Sequence, residues 1–218
     1  MPRRGSAASH LSPQAIQTPL LQARHLHATG IPPALSATAR ELSLELMTQM
    51  RAAGRTVSFD PNLRPALWAS EQQMITEINR LAALAHWVLP GLGEGRLLTG
   101  FDDPADIAAF YLDQGAQVVA IKLGAHGAYY RTAQDQGFVA AVPVAQVVDT
   151  VGAGDGFAVG LISALLECHS VSDAVQRANW IGSRAVQSRG DMEGLPTRLE
   201  MSAEFEAAIA SQLAPTGD

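Results

Sequence analysis

Val147-Val148-Asp149-Thr150-Val151-Gly152-Ala153-Gly154-Asp155-Gly156-Phe157 is the stretch around which the rest of the chain is organised. A β-branched pair leads into a turn of small residues, and from Gly154 onward apolar side chains fall at helical spacing. Because Gly152, Ala153 and Gly154 carry no large side chain, backbone N–H groups can converge there at a helix N-terminus. Unpaired donors and the helix dipole make such a place an anion site. Asp155 lies in the first turn, where a carboxylate caps a helix but repels a bound phosphate. Its placement makes chemical sense if it takes a proton from a hydroxyl that then attacks phosphorus, while the N–H groups hold the growing charge. Two plainer readings compete. One is a helix cap with a tight turn. The other is a dinucleotide-binding turn, but the third glycine position of G-x-G-x-x-G is Phe157, and no strand ending in an acid follows about 20 residues on.

Upstream of this stretch, short apolar runs alternate with longer helical patterns. Residues 24–30 read as a strand closed by Gly30, and Leu35, Ala39, Leu42, Leu46 and Met50 recur at the spacing of one helix that stops at Gly54. A strand over 55–59 ends in the turn Asp60-Pro61-Asn62. The pattern continues with a helix over 71–85, a strand over 86–89, a helix over 105–114, a strand over 117–121 and a hairpin of 127–131 with 137–142. Downstream, 154–168, 171–189 and 199–212 are helical patterns. Strands separated by helices of this length predict βαβ units, hence an α/β fold with a mostly parallel sheet covered on both faces. Residues 1–23 are polar, dotted with proline and expected to be irregular. Glycine and proline are spread through the turns, so the sequence predicts a single domain over 1–218.

The 218 residues are 47% hydrophobic and 17% charged, a globular composition. No apolar run approaches the roughly 20 residues needed to cross a bilayer, and no apolar stretch follows the basic N-terminus as in a secretory leader. A cytoplasmic address and no membrane partner are therefore expected. A net charge of −6 argues against nucleic acid as a partner. Cys168, the single cysteine, excludes a disulfide framework and a cysteine-rich zinc site, and its apolar helical context predicts burial. Fourteen of the fifteen basic residues are arginine. Lys122, the only lysine, stands in no G-x-x-x-x-G-K-[ST] loop. His25 and His27 share a strand face, but no nearby carboxylate or third histidine completes a metal site.

The string Asp149-Thr150-x-Gly152-Ala153-Gly154-Asp155-x-Phe157 resembles the C-terminal signature of the ribokinase, or PfkB-type, carbohydrate kinases. Ser58-Phe59-Asp60-Pro61-Asn62-Leu63-Arg64-Pro65-x-Leu67-Trp68 resembles the strand-end motif of the same family and is most similar to its 2-keto-3-deoxygluconate kinases. Lys122-x-Gly124-x-x-Gly127 resembles the nucleotide-side turn, and Ala178-Asn179 the adenine-side helix. The resemblance runs from about Arg3 to about Pro196. It implies a ribokinase-like three-layer αβα sandwich of which this chain is the C-terminal two thirds. The lid and first strands of the family have no counterpart here, and 1–23 would be a remnant of the substrate side.

By the same resemblance, Asp155 is the catalytic base and Gly152, Ala153 and Gly154 form the anion hole. Lys122, Gly124, Gly127, Gly154 and Asn179 lie on the nucleotide side. Arg64 and Arg3 face the carboxylate of an acid sugar, to which a planar guanidinium is matched by two parallel hydrogen bonds. Glu94 ends the family's N-x-x-E motif and helps hold Mg²⁺ through water, although Gly91 stands where the family has Asn. Asp149 matches a position beside a monovalent-cation (K⁺) site. The implied reaction is ATP- and Mg²⁺-dependent phosphorylation of the terminal hydroxyl of 2-keto-3-deoxygluconate or a similar acid sugar, and a homo-oligomer is compatible with it. A catalytically inactive nucleotide-binding fragment and a kinase for a fructose- or ribose-type sugar stay open as alternatives.

Overall fold

The strand patterns at 24–30, 55–59, 86–89 and 117–121 become four adjacent parallel strands in the computed structural model, which describes residues 5–15, 22–190 and 192–205. β1 (His25–Thr29) pairs with β2 (Thr56–Asp60), β2 with β3 (Trp87–Val88), and β3 with β4 (Val118–Lys122). β5 (Gly127–Arg131) and β6 (Gln136–Ala140) complete one sheet in the order β1-β2-β3-β4-β5-β6. The last four residues of β2 and the first four of β4 are buried, as expected of apolar central strands covered on both faces.

Between the strands run α1 (Ile31–Leu35), α2 (Ala37–Ala52), α3 (Glu71–Ala82), α4 (Leu92–Thr99) and α5 (Pro104–Asp113), followed after the sheet by α6 (Ala153–Leu166) and α7 (Val171–Ala185). The single helix expected from Leu35 to Met50 is broken at Ser36. That residue is extended, and its Oγ accepts from Ala39 N–H at 3.1 Å to cap α2. α4 was not foreseen: it is short and begins Leu-Gly-Glu-Gly, so no apolar period betrays it.

The described chain forms two compact units. The first holds the chain up to Leu123 together with Tyr129–Phe138, and the second holds Gly124–Ala128 and the chain from Val139. The first unit is built on Phe59, Met74, Ile78, Leu81, Ile107 and Ile121, all at most 1% exposed, which the stripes of α3 and α5 press against the sheet. In the second, α6 packs against α7, and Trp180, Ile181 and Phe205 form a small apolar cluster.

Two expectations need correction here. Cys168 is exposed with a φ of 65°, because α6 ends at Leu166 and leaves it in the left-handed turn beyond. α7 ends at Ala185 instead of reaching 189, with Val186 as its cap. Of the expected helix 199–212, a turn at Arg198–Glu200 and a wider one at Met201–Phe205 are described, and the remainder lies outside the described residues. Arg3 lies outside them as well. Among the described residues no helix is long and apolar enough to cross a membrane.

Candidate active site

In the first unit, the polar residues singled out in the sequence gather at the carboxyl ends of β2, β3 and β4. This is where ligands bind in open parallel sheets. Asp60 closes β2 and is only 2% exposed. Its Oδ1 accepts from Asn62 N–H at 3.2 Å and so shapes the turn, in which Asn62 takes a left-handed φ of 38°. Its Oδ2 accepts from the Lys122 ammonium at 2.5 Å. Burial pushes the Asp60 carboxyl above the usual carboxylate range, while the Lys122 ammonium pulls the other way.

Arg64, half-buried, donates through Nη1 to the Leu63 carbonyl at 2.8 Å and the Asn62 carbonyl at 3.2 Å. Its Nε and Nη2 have no protein partner among the described residues, so one edge of the guanidinium keeps two parallel donors. Glu94, the third residue of α4, accepts from Gly91 N–H through Oε2 and from Leu63 N–H through Oε1, each at 2.8 Å. Both oxygens already serve the backbone, and each retains a lone pair for water. Glu94 is therefore fitted to hold a hydrated Mg²⁺ through water rather than by direct ligation.

The second unit contains the helix start. Gly152, with a φ of 81°, precedes α6, and Gly156 N–H donates back to the Gly152 carbonyl at 2.8 Å. Asp149 Oδ1 accepts from Val151 N–H at 3.0 Å and folds the approach to the turn. Ala153 N–H reaches only the Thr150 carbonyl, at a long 3.4 Å. Among the described residues, the amides of Gly152, Gly154 and Asp155 donate to no protein acceptor, and the exposed Asp155 carboxylate has no protein partner. The valines before the turn form no strand. Val148 and Asp149 N–H both donate to the Val186 carbonyl, beyond the end of α7.

Gly124 and Gly127 have φ values of 60° and 111°. At Gly127 no other residue fits, since a Cβ would sit 2.1 Å from the Val139 carbonyl oxygen. Asn179, buried on α7, gives both Nδ2 hydrogens to backbone, at 3.0 Å to the Val139 carbonyl and 3.1 Å to that of Ala140. Its amide thus pins the end of β6.

Asp60, Arg64, Glu94 and Lys122 are brought together in the first unit, and Gly152, Ala153, Gly154 and Asp155 in the second. The Asp60–Lys122 pair was missed in the sequence. Its members stand 62 residues apart, and only the β2–β3–β4 order unites them. His25 and His27 are occupied by hydroxyls. His25 meets Thr56 and Ser58, and His27 meets Ser58, each at 2.8 Å.

Comparison with known proteins shows the family and the fold. The pattern of the pfkB family carbohydrate kinases matches residues 4–198. The chain is 52% identical to the 2-dehydro-3-deoxygluconokinase of Bacillus subtilis (strain 168) over 94% of its own length and 64% of that protein's. It superposes on the crystal structure of a PfkB protein from Polaromonas sp. JS666 with a TM-score of 0.83 at 54% identity, covering 92% of this chain and 64% of that one. A putative ribokinase II from E. coli, solved with ATP and Mg²⁺, gives a TM-score of 0.81 at 30% identity over 90% of this chain and 63% of that one. The chain thus spans under two thirds of the length of these relatives, and its sheet and helices have the ribokinase-like α/β fold. It belongs to the pfkB family of carbohydrate kinases.

Proposed function

We propose that the chain carries the phosphoryl-transfer chemistry of an ATP-dependent kinase for an acid sugar, 2-keto-3-deoxygluconate or a close analogue, giving its 6-phosphate. The observation that carries this reading is the unspent helix start: among the described residues the amides of Gly152, Gly154 and Asp155 have no protein acceptor, and the Asp155 carboxylate beside them has no protein partner. Asp155 takes the proton of the terminal sugar hydroxyl, and that oxygen attacks the γ-phosphorus of ATP. The bond to the β,γ-bridging oxygen breaks, and ADP leaves. The three amides and Ala153 hold the charge that spreads over the transferring oxygens. Glu94 would hold a hydrated Mg²⁺ through water, and that ion, when bound with ATP, would supply charge neutralisation. Asp149 marks a place for a monovalent cation such as K⁺ beside the turn. On the nucleotide side, Gly124, Gly127 and Gly154 let backbone approach, and Asn179 serves by fixing the end of β6. Arg64 receives the sugar carboxylate on its open Nε–Nη2 edge, which favours an acid over a neutral sugar.

The test compares the chain with its Asp155→Asn and Arg64→Ala variants on 2-keto-3-deoxygluconate and on fructose, alongside thermal melts with and without Mg-ATP. Asp155→Asn should lower kcat by about 10²–10⁴-fold, the usual worth of a general base, and leave the shift of the melt by Mg-ATP in place. Arg64→Ala should raise KM for the acid sugar alone. A melt raised by Mg-ATP without turnover of either sugar would mean a nucleotide-binding fragment, and a chain indifferent to both ligands would refute the kinase reading.

A further inference from the structure

The turns after β2, β3 and β4 are tied into one network of charge-assisted bonds. Lys122 N–H donates to the Pro90 carbonyl at 2.9 Å, and its ammonium goes to Asp60 Oδ2. Through Oδ1, Asp60 holds Asn62 N–H, and Glu94 holds both Leu63 N–H and Gly91 N–H. Two carboxylates thus clamp successive amides of the segment 62–63, and the carbonyls of those same residues receive Arg64 Nη1. Asn62 stands at a left-handed φ, a conformation that persists where its surroundings over-determine it. The Lys122 ammonium is committed to a carboxylate that is itself 2% exposed. Releasing it to a phosphate would leave Asp60 buried without a counter-charge.

We infer that the Lys122–Asp60 pair is a positioning device for Arg64: the chain's only lysine sets the orientation of the guanidinium that reads the sugar carboxylate, and does not grip the nucleotide phosphates. This rests on the role given to Arg64 above. It adds a specificity determinant remote from the carboxylate itself, because the three residues 60–62–64 share one turn and Lys122 anchors its first member.

The test uses the whole chain. Removing the lysine alone leaves Asp60 uncompensated and endangers folding, so the informative variants are Lys122→Met with Asp60→Asn, which deletes both charges, and Lys122→Arg, which keeps them. Calorimetry reads the Kd of 2-keto-3-deoxygluconate and of Mg-ATP separately. The double variant should bind the acid sugar about tenfold to a hundredfold more weakly, the usual cost of losing a group that orients a ligating residue. Its Kd for Mg-ATP should stay within about twofold, and Lys122→Arg should recover most of the sugar affinity. Weakened Mg-ATP with unchanged sugar would overturn the inference in favour of a phosphate grip, and no change in either would reduce the pair to scaffolding. A second readout separates failure of the kinase reading from failure of this one. In chain labelled with ¹⁵N-arginine, the Nη resonances of Arg64, assigned by their loss in Arg64→Ala, report its restrained guanidinium. They should collapse toward free rotation in the double variant even if the parent chain binds no acid sugar, and their persistence would overturn the positioning role.

Discussion

A carboxylate that accepts from two backbone amides cannot become a carboxamide without loss. At Glu94 the two oxygens face Gly91 N–H and Leu63 N–H, so a glutamine must turn its NH₂ toward one of them and set donor against donor. Glu94→Gln should lose about 1–3 kcal/mol, the cost of leaving a buried donor unsatisfied, read as a lower midpoint in urea unfolding. Glu41→Gln, on the exposed side of α2, is the control and should stay within about 0.5 kcal/mol. An equal response of both would mean that Glu94 braces nothing. The sequence revealed half of this residue. Its place three positions after Gly91 was readable as the end of an N-x-x-E motif, whereas the helix that carries it was not. The bond to Leu63 depends on the sheet bringing residues 31 positions apart into contact, which no local pattern encodes.

At the scale of elements, the helix pair of the second unit shows what a period can and cannot say. The spacing of apolar residues revealed α6 and α7, but it did not reveal how near their axes lie. Gly160 faces Ala178 so closely that a Cβ would stand 2.5 Å from the Ala178 Cα and 2.8 Å from its nitrogen. These are backbone atoms, which cannot rotate aside, so Gly160→Ala must push the helices apart. It should cost about 1–3 kcal/mol, typical of overpacking, against the up to 1 kcal/mol that alanine gains over glycine in a helix interior. Gly93→Ala on α4 meets no atom within 4 Å and should therefore keep that gain. Urea unfolding of the two variants should shift in opposite directions, and a stabilised Gly160→Ala would show that the pair yields. The same limit explains the break at Ser36. Leu35 continues the stripe of α2, yet it ends α1, because Ser36 is extended and its Oγ caps the next helix instead of continuing the first. The mostly parallel sheet was legible from the alternation of elements, whereas helix ends were set by caps and left-handed residues such as Gly100 and Cys168 that periodicity does not weigh.

For the whole molecule, opposing titrations decide how stability changes with pH. His25, desolvated and beside His27 and His86, is held near a pKa of about 4 against its usual 6.5. It stacks on Trp87 at 4.8 Å and bonds to two hydroxyls, which serve a neutral ring. His86, lowered first by burial and then by Arg51, accepts from Val57 N–H through Nδ1 and would lose that bond on protonation. The folded chain therefore binds these protons less readily than the unfolded one. The stability they contribute is complete above about pH 6.5 and is lost as pH falls toward 4. Glu167, lowered chiefly by its hydrogen bond from Arg177, adds a loss of the same sign at still lower pH, as the pH falls through its folded value. Asp60 works in the opposite sense. Its raised carboxyl favours the folded state in acid, and that contribution disappears as pH rises through the folded value. Histidines outnumber it in the window between 6.5 and 4, so the thermal midpoint should fall on acidification across that window. In His25→Gln, which keeps a polar partner for Ser58 but no titrating ring, the fall should be shallower while the midpoint at pH 7 stays closer to that of the parent. The comparison needs only melts of the two chains followed by circular dichroism at pH 7, 6, 5 and 4.5. Parallel curves would mean that the His25 ring takes up its proton in the folded chain as easily as in the unfolded one, and that the polar face of β1 has no part in the pH response.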